Sequence, residues 1–251
     1  MNIIASFMTR GMGSTLPRKN AHPILGKPML QWALEEAKKA KFIDHIFVWT
    51  EDDELKRITE SCGCNVLERD RDEVFYHGGF SNPHDWSQEK TDQIEEFLWD
   101  ETHHKNNHID IHVHLNCNYC LMTGSILEEM FRVLMEDRTA GEVFPVSPFH
   151  GDLFQPYNGM LFPVWHCQDL PKQQYPPLVL RGSGISIVHE ERKEQQVELR
   201  NIYHTVPMKY LLDVHDKEDV ELAEYYLSKR QTQWEPVLSV PVDIGPVGIT
   251  R

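Results

Sequence analysis

The first third of the chain alternates between short apolar runs and stretches of helical spacing. Residues 3–7 form an apolar run, and after a stretch rich in Gly, Ser, Pro and Arg the apolar residues between 30 and 37 recur at helical spacing. Residues 43–50 are β-branched and aromatic and predict a strand, and residues 52–61 predict a helix that ends at Gly63. This order predicts right-handed βαβ units on a parallel sheet, which is the pattern of an α/β fold.

The remainder of the chain predicts further elements with less regular spacing. Residues 68–87 have no clear period and predict an irregular loop. The predicted strands are 110–115, 142–146, 184–188 and 203–206, and the predicted helices are 91–99, 124–136 and 218–227. Frequent prolines predict a small lobe or loop-rich insertion within 147–183. We expect one domain over residues 1–230 and an extended, Pro-containing tail over 231–251.

Composition excludes several classes of protein. The 251 residues contain 25 Lys plus Arg and 39 Asp plus Glu, a net charge of -14, which argues against nucleic acid or an anionic membrane as a partner. No apolar run approaches the roughly 18 residues of a membrane helix, and the opening apolar run is too short for a signal peptide. Five cysteines, an odd number, do not suggest a secreted disulfide scaffold, so we expect a cytoplasmic protein.

The opening segment is basic and free of acidic residues. Residues 1–34 contain no Asp or Glu, and their basic residues are Arg10, Arg18, Lys19 and Lys27. Gly11, Gly13 and Ser14 lie among them, after a predicted strand and before a predicted helix, which in an open α/β sheet is the edge where ligands bind. Glycines let backbone N–H groups close on an anion, and basic side chains neutralise phosphate, so the segment predicts a polyphosphate site. It is neither a Walker loop nor G-x-G-x-x-G; an ordinary solvated loop is the alternative.

The run from Thr9 to Asn20, T-R-G-M-G-S-T-L-P-R-K-N, followed by G-K-P at 26–28, resembles the opening of the acylneuraminate (sialic acid) cytidylyltransferase family of the nucleotide-sugar transferase superfamily. The related 3-deoxy-manno-octulosonate cytidylyltransferases are similar. Further stretches that agree in order are V-W-T-E-D at 48–52, Q-D-L-P at 168–171, G-S-G at 182–184 and the acidic run 212–224. The resemblance implies a three-layer α/β/α fold with a mostly parallel, Rossmann-like sheet of the nucleotide-diphospho-sugar transferase type.

The resemblance implies nucleotidyl transfer, in which a hydroxyl of an acidic sugar attacks the α-phosphorus of CTP and pyrophosphate leaves in line. It implies that Arg10 and Lys19 hold the triphosphate and that Lys27 contacts the phosphates or the leaving group. The residues expected to bind the nucleotide are Gly11, Met12, Gly13, Ser14, Arg18 and Asn20, and those expected to bind the acceptor are Arg69, Arg71, Asn116 and Gln168. For Arg69 and Arg71, pairing with acidic neighbours in a solvated loop is the alternative.

Asp213, with His215 or Asp216, is expected to hold Mg²⁺, which prefers oxygen ligands. His215 stands where the family has a second aspartate, and imidazole is a poor Mg²⁺ ligand. Asp216 in its place, Mn²⁺ as the ion, or Asp213 with phosphate alone are therefore the alternatives. A helix N-cap cluster would also explain the two aspartates.

A structural zinc ion is an alternative use of the cysteines and histidines. The residues concerned are Cys62, Cys64, Cys117, Cys120, His112 and His114. The two cysteine pairs lie on different predicted elements, so reduced, partly buried thiols are expected instead. The two histidines are predicted to share one face of a strand.

Other departures from the family leave the acceptor open. Ser14 occupies the position of a family lysine, and the stretch 115–122 lacks the family's arginine and has Asn116 for its glutamine. We therefore keep three hypotheses: transfer of CMP to a sialic acid-like or other ulosonic acid, nucleotidyl transfer to a phosphonate or sugar 1-phosphate, and nucleotide binding with little catalysis. The resemblance also implies a homodimer.

Overall fold

The computed structural model describes residues 1–12, 15–70, 83–149, 153–157, 160–165, 178–195 and 199–232. The strands are β1 (Ile3–Met8), β2 (Pro23–Ile24), β3 (Lys27–Pro28), β4 (His45–Thr50), β5 (Asn65–Glu68), β6 (Ile111–Leu115), β7 (Ala140–Phe149), β8 (Leu153–Tyr157), β9 (Met160–Trp165), β10 (Leu178–Arg181), β11 (Ser186–His189) and β12 (Arg200–Thr205). The helices are α1 (Met29–Ala37), α2 (Asp53–Ser61), α3 (Pro83–Glu101), α4 (Gly124–Glu136), α5 (Glu190–Gln195) and α6 (Lys217–Thr232), with short 3-10 turns at Lys19–Ala21 and Met208–Leu211.

The central sheet has eight described strands and is mostly parallel. Its order is β10-β7-β11-β6-β1-β4-β5, and β12 also pairs with β7. The strands β5, β4, β1 and β6 run parallel to one another, whereas β11 is antiparallel to both of its neighbours, β6 and β7. The predicted mostly parallel, Rossmann-like sheet is therefore confirmed.

Helices cover both faces of the sheet. Alternate residues of β1 point to opposite faces because a strand has a period of two. Ala5 and Phe7 belong to the larger core, together with buried residues of α1, α4 and α6. Ile4 belongs to a smaller core on the other face, where Ile94 and Leu98 of α3 pack. The result is the predicted three-layer arrangement.

Several element bounds differ from the sequence-based expectations. The predicted loop over 68–87 holds the end of β5 and the start of α3, which is longer than the predicted 91–99; residues 71–82 lie outside the described part. Within 147–183, β8 and β9 form a separate two-stranded sheet and β10 returns to the main sheet. Helix α6 continues to Thr232, two residues into the predicted tail of 231–251. The division into domain and insertion otherwise stays a prediction.

The strand order places a ligand crevice beside β1. The chain passes from β1 to β4 and β5 on one side and then returns to β6 on the other side. Ligands of open α/β sheets bind at the carboxyl ends of the strands at such a reversal. The loops that follow β1 and β6 meet there, and because β11 runs the opposite way, the loop that precedes it reaches the same edge.

Candidate functional site

The loop after β1 is fastened to the segment after β4. The backbone N–H of Thr9 donates to the carbonyl of Trp49 at 3.0 Å, and the N–H of Gly11 donates to Oε1 of buried Glu51 at 2.7 Å. A Cβ atom on Gly11 would overlap the carboxylate of Asp52, so this close approach requires glycine. The Gly11 N–H is therefore bonded to protein, and its expected part in a phosphate cradle stays a prediction. Gly13 and Ser14 lie outside the described residues, and Met12 is exposed.

Asn20 joins the loop after β1 to the loop after β6. Its amide nitrogen donates to the carbonyl of Arg10 at 2.7 Å, and its amide oxygen lies 3.1 Å from the thiol of Cys117. Burial raises the pKa of Cys117 to about 12, so the thiol is protonated and donates this bond. Asn20, expected to contact the nucleotide, is buried and bonded at both ends of its amide. The structure makes it a positioning residue for the loops.

Lys19, His215 and Asp213 form a connected group at this edge. The Lys19 Nζ atom lies 3.2 Å from His215 Nδ1, and His215 Nε2 lies 3.0 Å from Asp213 Oδ2. The hydroxyl of Thr15 donates to the carbonyl of His215 at 2.6 Å, which ties this segment to the loop after β1. Burial lowers the pKa of Lys19, an effect that the charge of Asp213 opposes and that of Arg10 reinforces. Two expected triphosphate ligands, Arg10 and Lys19, are therefore electrostatic neighbours.

The Asp213 carboxylate retains an unused oxygen. Its Oδ1 atom is buried and has no hydrogen-bond partner among the residues that the structure describes. Burial raises the pKa of the Tyr119 phenol, and the charge of Asp213 and a hydrogen bond to the Asp213 carboxylate add to this effect. The phenol oxygen also lies 3.3 Å from the Ser183 hydroxyl. A buried carboxylate oxygen without a partner is unfavourable unless a cation or a donor occupies the site.

Asp216 caps helix α6. Its Oδ1 accepts from the N–H of Asp219 at 3.0 Å, while Asp219 Oδ2 accepts from the N–H groups of His215 and Asp216 at 2.8 and 3.1 Å. This reciprocal arrangement is a capping box. Within the described ranges, the one convergent set of three ligating His, Cys, Asp or Glu side chains is elsewhere in the fold. Asp213, His215 and Asp216 are therefore not a preformed three-ligand metal site.

Two cations expected at the phosphates are held by carboxylates instead. Arg18 forms a bidentate pair with Asp52, at 2.8 and 2.9 Å, and also contacts Glu54. Hydrogen bonds to these acids raise the Arg18 pKa. Lys27 Nζ lies 2.5 Å from Glu35 Oε2 and 3.7 Å above the Trp32 ring. Both charges are thus paired with carboxylates, and the expected roles of Arg18 and Lys27 stay predictions.

The expected acceptor residues are only partly brought to the edge. Asn116 is there: its Oδ1 accepts from the N–H of Asn118 at 3.1 Å, and its Cβ would lie 2.7 Å from a Cβ on Gly184. Arg69 is buried, with its guanidinium 4.6 Å from the centre of the Trp49 ring, and its expected contact with the acceptor stays a prediction. Arg71 and Gln168 lie outside the described part of the chain.

Sequence reasoning missed Thr15, Cys117, Tyr119 and Ser183 at this edge. The available signal was the stretch 115–122, which departs from the family pattern directly after a predicted strand. The alternative zinc site is not formed by the described cysteines. Cys62, Cys64, Cys117 and Cys120 are free thiols, and none of them belongs to the convergent ligand set.

Comparison with known proteins finds similarity to cytidylyltransferases. The family profile described as Cytidylyltransferase matches residues 8–74. The chain is 22% identical over 169 residues to a 3-deoxy-manno-octulosonate cytidylyltransferase of Bdellovibrio bacteriovorus, covering 67% of the chain and 60% of that relative. It is 40% identical over 67 residues to an 8-amino-3,8-dideoxy-manno-octulosonate cytidylyltransferase of Shewanella frigidimarina, covering 27% of each. The chain thus matches less than two thirds of the length of these relatives.

The fold has a close counterpart among solved structures. A CMP:2-keto-3-deoxy-manno-octonic acid synthetase complexed with CTP superposes with a TM-score of 0.61 at 13% identity, covering 92% of this chain and 100% of that one. The sheet therefore has the mostly parallel α/β architecture of that neighbour. The predicted resemblance to cytidylyltransferases is confirmed over residues 8–74, which match that family profile. No helix in the described ranges is long and apolar enough to cross a membrane.

Proposed function

We propose that the protein transfers CMP from CTP to an acidic sugar of the ulosonic acid class and releases pyrophosphate. The observation that carries this proposal is the Lys19–His215–Asp213 group, which lies at the crevice beside β1 and includes a residue of the segment that matches the cytidylyltransferase profile. The names of the relatives support CTP as the donor and an octulosonate as the class of acceptor.

In this proposal Lys19 and Arg10 neutralise the triphosphate of CTP. Nucleotidyl transfer depends mainly on positioning and on stabilising the charge that develops on the phosphates. Lys19 is half-buried, so its ammonium group acts where water screens it less. Asn20 fixes the loop through Arg10 and Cys117, so these cations meet the phosphates with little rearrangement.

Asp213 is the residue that fits Mg²⁺. Its buried Oδ1 is a hard ligand without a hydrogen-bond partner in the described part, whereas Asp216 is used as a helix cap. His215 holds the other oxygen of Asp213 and thereby orients the carboxylate. When bound, Mg²⁺ would supply further charge neutralisation at the phosphates, and phosphate and water oxygens would complete its coordination.

A pyrophosphate-release assay tests the proposal. The protein is incubated with each of the four nucleoside triphosphates, with Mg²⁺ or Mn²⁺, and with ulosonic acids, phosphonates or sugar 1-phosphates as acceptors. The proposal expects turnover with CTP and an ulosonic acid only. If only a sugar phosphate or a phosphonate supports turnover, the proposed acceptor class is wrong. If the nucleotide binds but no combination gives turnover, the proposed enzymatic role is wrong.

The setting and the assembly of the enzyme are further parts of the proposal. A cytoplasmic location is supported by the free thiols, since reducing compartments keep cysteines unpaired. A homodimer is supported by exposed apolar side chains near one end of the sheet, on β10, on β12 and in the turn that follows β12. These are Val179, Leu180, Tyr203 and Met208. Light scattering on the purified protein would show twice the monomer mass of 29.4 kDa.

A further inference from the structure

The sheet carries a polar cluster on the face that α3 and α5 cover. His112 and His114 of β6 are two residues apart and therefore project from the same face. Their ring centroids are 3.8 Å apart, and His112 Nδ1 lies 3.7 Å from Glu190 Oε1 at the start of α5. This face is the one on which Ile4 packs in the smaller core, so the cluster replaces apolar packing on a central strand.

The three side chains lie close to the arrangement that a metal site requires. One potential ligand atom from each of His112, His114 and Glu190 lies within 4.8 Å of the others. Tetrahedral coordination at about 2.1 Å places ligand atoms roughly 3.4 Å apart, so the cluster must contract by about an ångström. Glu190 lies at the start of a helix with its side chain 25% exposed, and it is the ligand expected to move towards the two imidazoles. Burial lowers the pKa of both imidazoles, and neutral imidazole is the form that ligates.

Ser6 orients the His112 ring. Its Oγ lies 2.7 Å from His112 Nε2 and accepts a hydrogen bond from Lys90 Nζ at 3.1 Å. A serine oxygen can accept two hydrogen bonds, so it can also accept from an Nε2–H group of His112. That tautomer leaves the Nδ1 lone pair directed towards Glu190. Metal-bound histidines are held in this way, with the second ring nitrogen donating to a neighbouring acceptor.

We propose that His112, His114 and Glu190 bind one divalent cation of the zinc type, separate from the nucleotide edge. Two imidazoles and one carboxylate favour Zn²⁺ over Mg²⁺ or Ca²⁺, which prefer all-oxygen sites. Three protein ligands leave the fourth position for water or an anion. The site does not depend on the proposed activity, because none of its ligands belongs to the Lys19–His215–Asp213 group.

Positive charges beside the cluster lower its affinity for a metal ion. Lys90 reaches the cluster through Ser6, and the charges of Lys90 and Lys193 both act on His114. A second cation close to a bound metal ion opposes binding. Replacing Lys90 by methionine keeps most of the side-chain volume and removes the charge, so Lys90→Met should tighten Zn²⁺ binding by about 10-fold or more.

Metal binding to the full-length protein, stripped with chelator and dialysed, tests the site. We expect one Zn²⁺ per chain, unaffected by excess Mg²⁺, with affinity lowered at least about 10²-fold in His114→Ala and in Glu190→Gln. His103→Ala, at an exposed histidine beyond α3, serves as the matched control and should bind as the parent does. Circular dichroism and thermal melts confirm that each variant is folded.

Cobalt provides a measurement that does not depend on the variants folding. Co²⁺ bound to the parent protein should show ligand-field bands of nitrogen and oxygen coordination without thiolate charge transfer, and added Zn²⁺ should abolish them. A thiolate signature would assign the metal to the cysteines and overturn the proposal. Zinc binding that is unchanged in His114→Ala and Glu190→Gln, or no stoichiometric binding by the parent protein, would overturn it as well.

Discussion

The Nζ atom of Lys19 lies 3.2 Å from Nδ1 of His215, and this contact fixes the direction of a hydrogen-bond chain. Lysine can only donate, so His215 Nδ1 accepts and Nε2 carries the ring hydrogen. Nε2 then donates to Asp213 Oδ2 at 3.0 Å. The histidine therefore connects the cation expected at the phosphates to the carboxylate expected at Mg²⁺, a connection that the family's aspartate could not make.

Replacing Lys19 should disable catalysis without unfolding the protein. Lys19→Met removes the charge and keeps the half-buried hydrocarbon stem, so we expect kcat/KM to fall about 10²-fold or more. Pyrophosphate release with CTP measures the effect. Lys41→Met, at an exposed lysine between α1 and β4, is the matched control and should leave the rate unchanged. Equal rates for parent and Lys19→Met would remove Lys19 from the site.

Replacing His215 by aspartate should lower the Mg²⁺ concentration that the activity requires. In His215→Asp a second oxygen donor stands beside Asp213, so half-maximal activity should need several-fold less Mg²⁺. The measurement is a Mg²⁺ titration of the initial rate at saturating CTP. The control is His215→Asn, because asparagine has the size of aspartate but no charge. If the Asp and Asn variants share one Mg²⁺ dependence, the ion is not bound at this position.

The close approach at Gly11 should make its replacement costly. Gly11→Ala places a methyl group into the Asp52 carboxylate, so the loop must shift, and the free energy of unfolding should fall by about 1–3 kcal/mol. Denaturant unfolding measures the change. Met12→Ala, at the exposed neighbouring residue, should change stability by less than about 0.5 kcal/mol. A Gly11→Ala protein as stable as its parent would show that the loop adapts.

The Asp52–Arg18 pair should stabilise the fold at neutral pH and lose its effect in acid. Burial alone would raise the Asp52 pKa, but hydrogen bonds from Arg18 and from the first turn of α2 outweigh it and lower the pKa below 3.8. The charged form is therefore favoured by folding, so the stabilisation is complete above the unfolded pKa and is lost as the pH falls through the folded value.

Asp52→Asn isolates the ion pair, because asparagine still caps α2. Arg18 is 45% exposed, so we expect a loss of only about 0.5–1 kcal/mol in unfolding free energy at pH 7. The difference between parent and variant should shrink below about pH 4, as urea unfolding at several pH values would show. A difference that is the same at all pH values would show that it does not come from the charge of Asp52.

Local sequence pattern predicted the sheet and most helices, and it failed where packing is sparse. The amphipathic α4 was predicted with its observed bounds, because many of its apolar residues reach the larger core. Helix α3 was predicted too short. Its buried apolar residues Ile94 and Leu98 pack on a small core, so most of the helix is polar and shows no helical spacing of apolar residues. Periodicity detects a helix only over the part that has a buried face.

The position of the basic opening segment directly after β1 was predicted, whereas its contacts were not. Spacing does not reveal which cations are already paired with carboxylates, as Arg18 and Lys27 are. Asp216 shows a further limit, because an acid that caps a helix and an acid that binds a metal look the same in sequence. The shared face of His112 and His114 was predicted and is confirmed. The place of Glu190 beside them could not be predicted, because it depends on the direction of β11.

The reversed direction of β11 has an evolutionary consequence. A strand that enters the sheet from the ligand edge brings there the residues that precede it, such as Ser183 and Gly184, rather than those that follow it. Insertions or replacements just upstream of β11 would thus reshape the wall beside Asn116 while every strand of the sheet keeps its register. Changes confined to this one connecting segment would therefore alter that wall and leave the loop after β1 untouched.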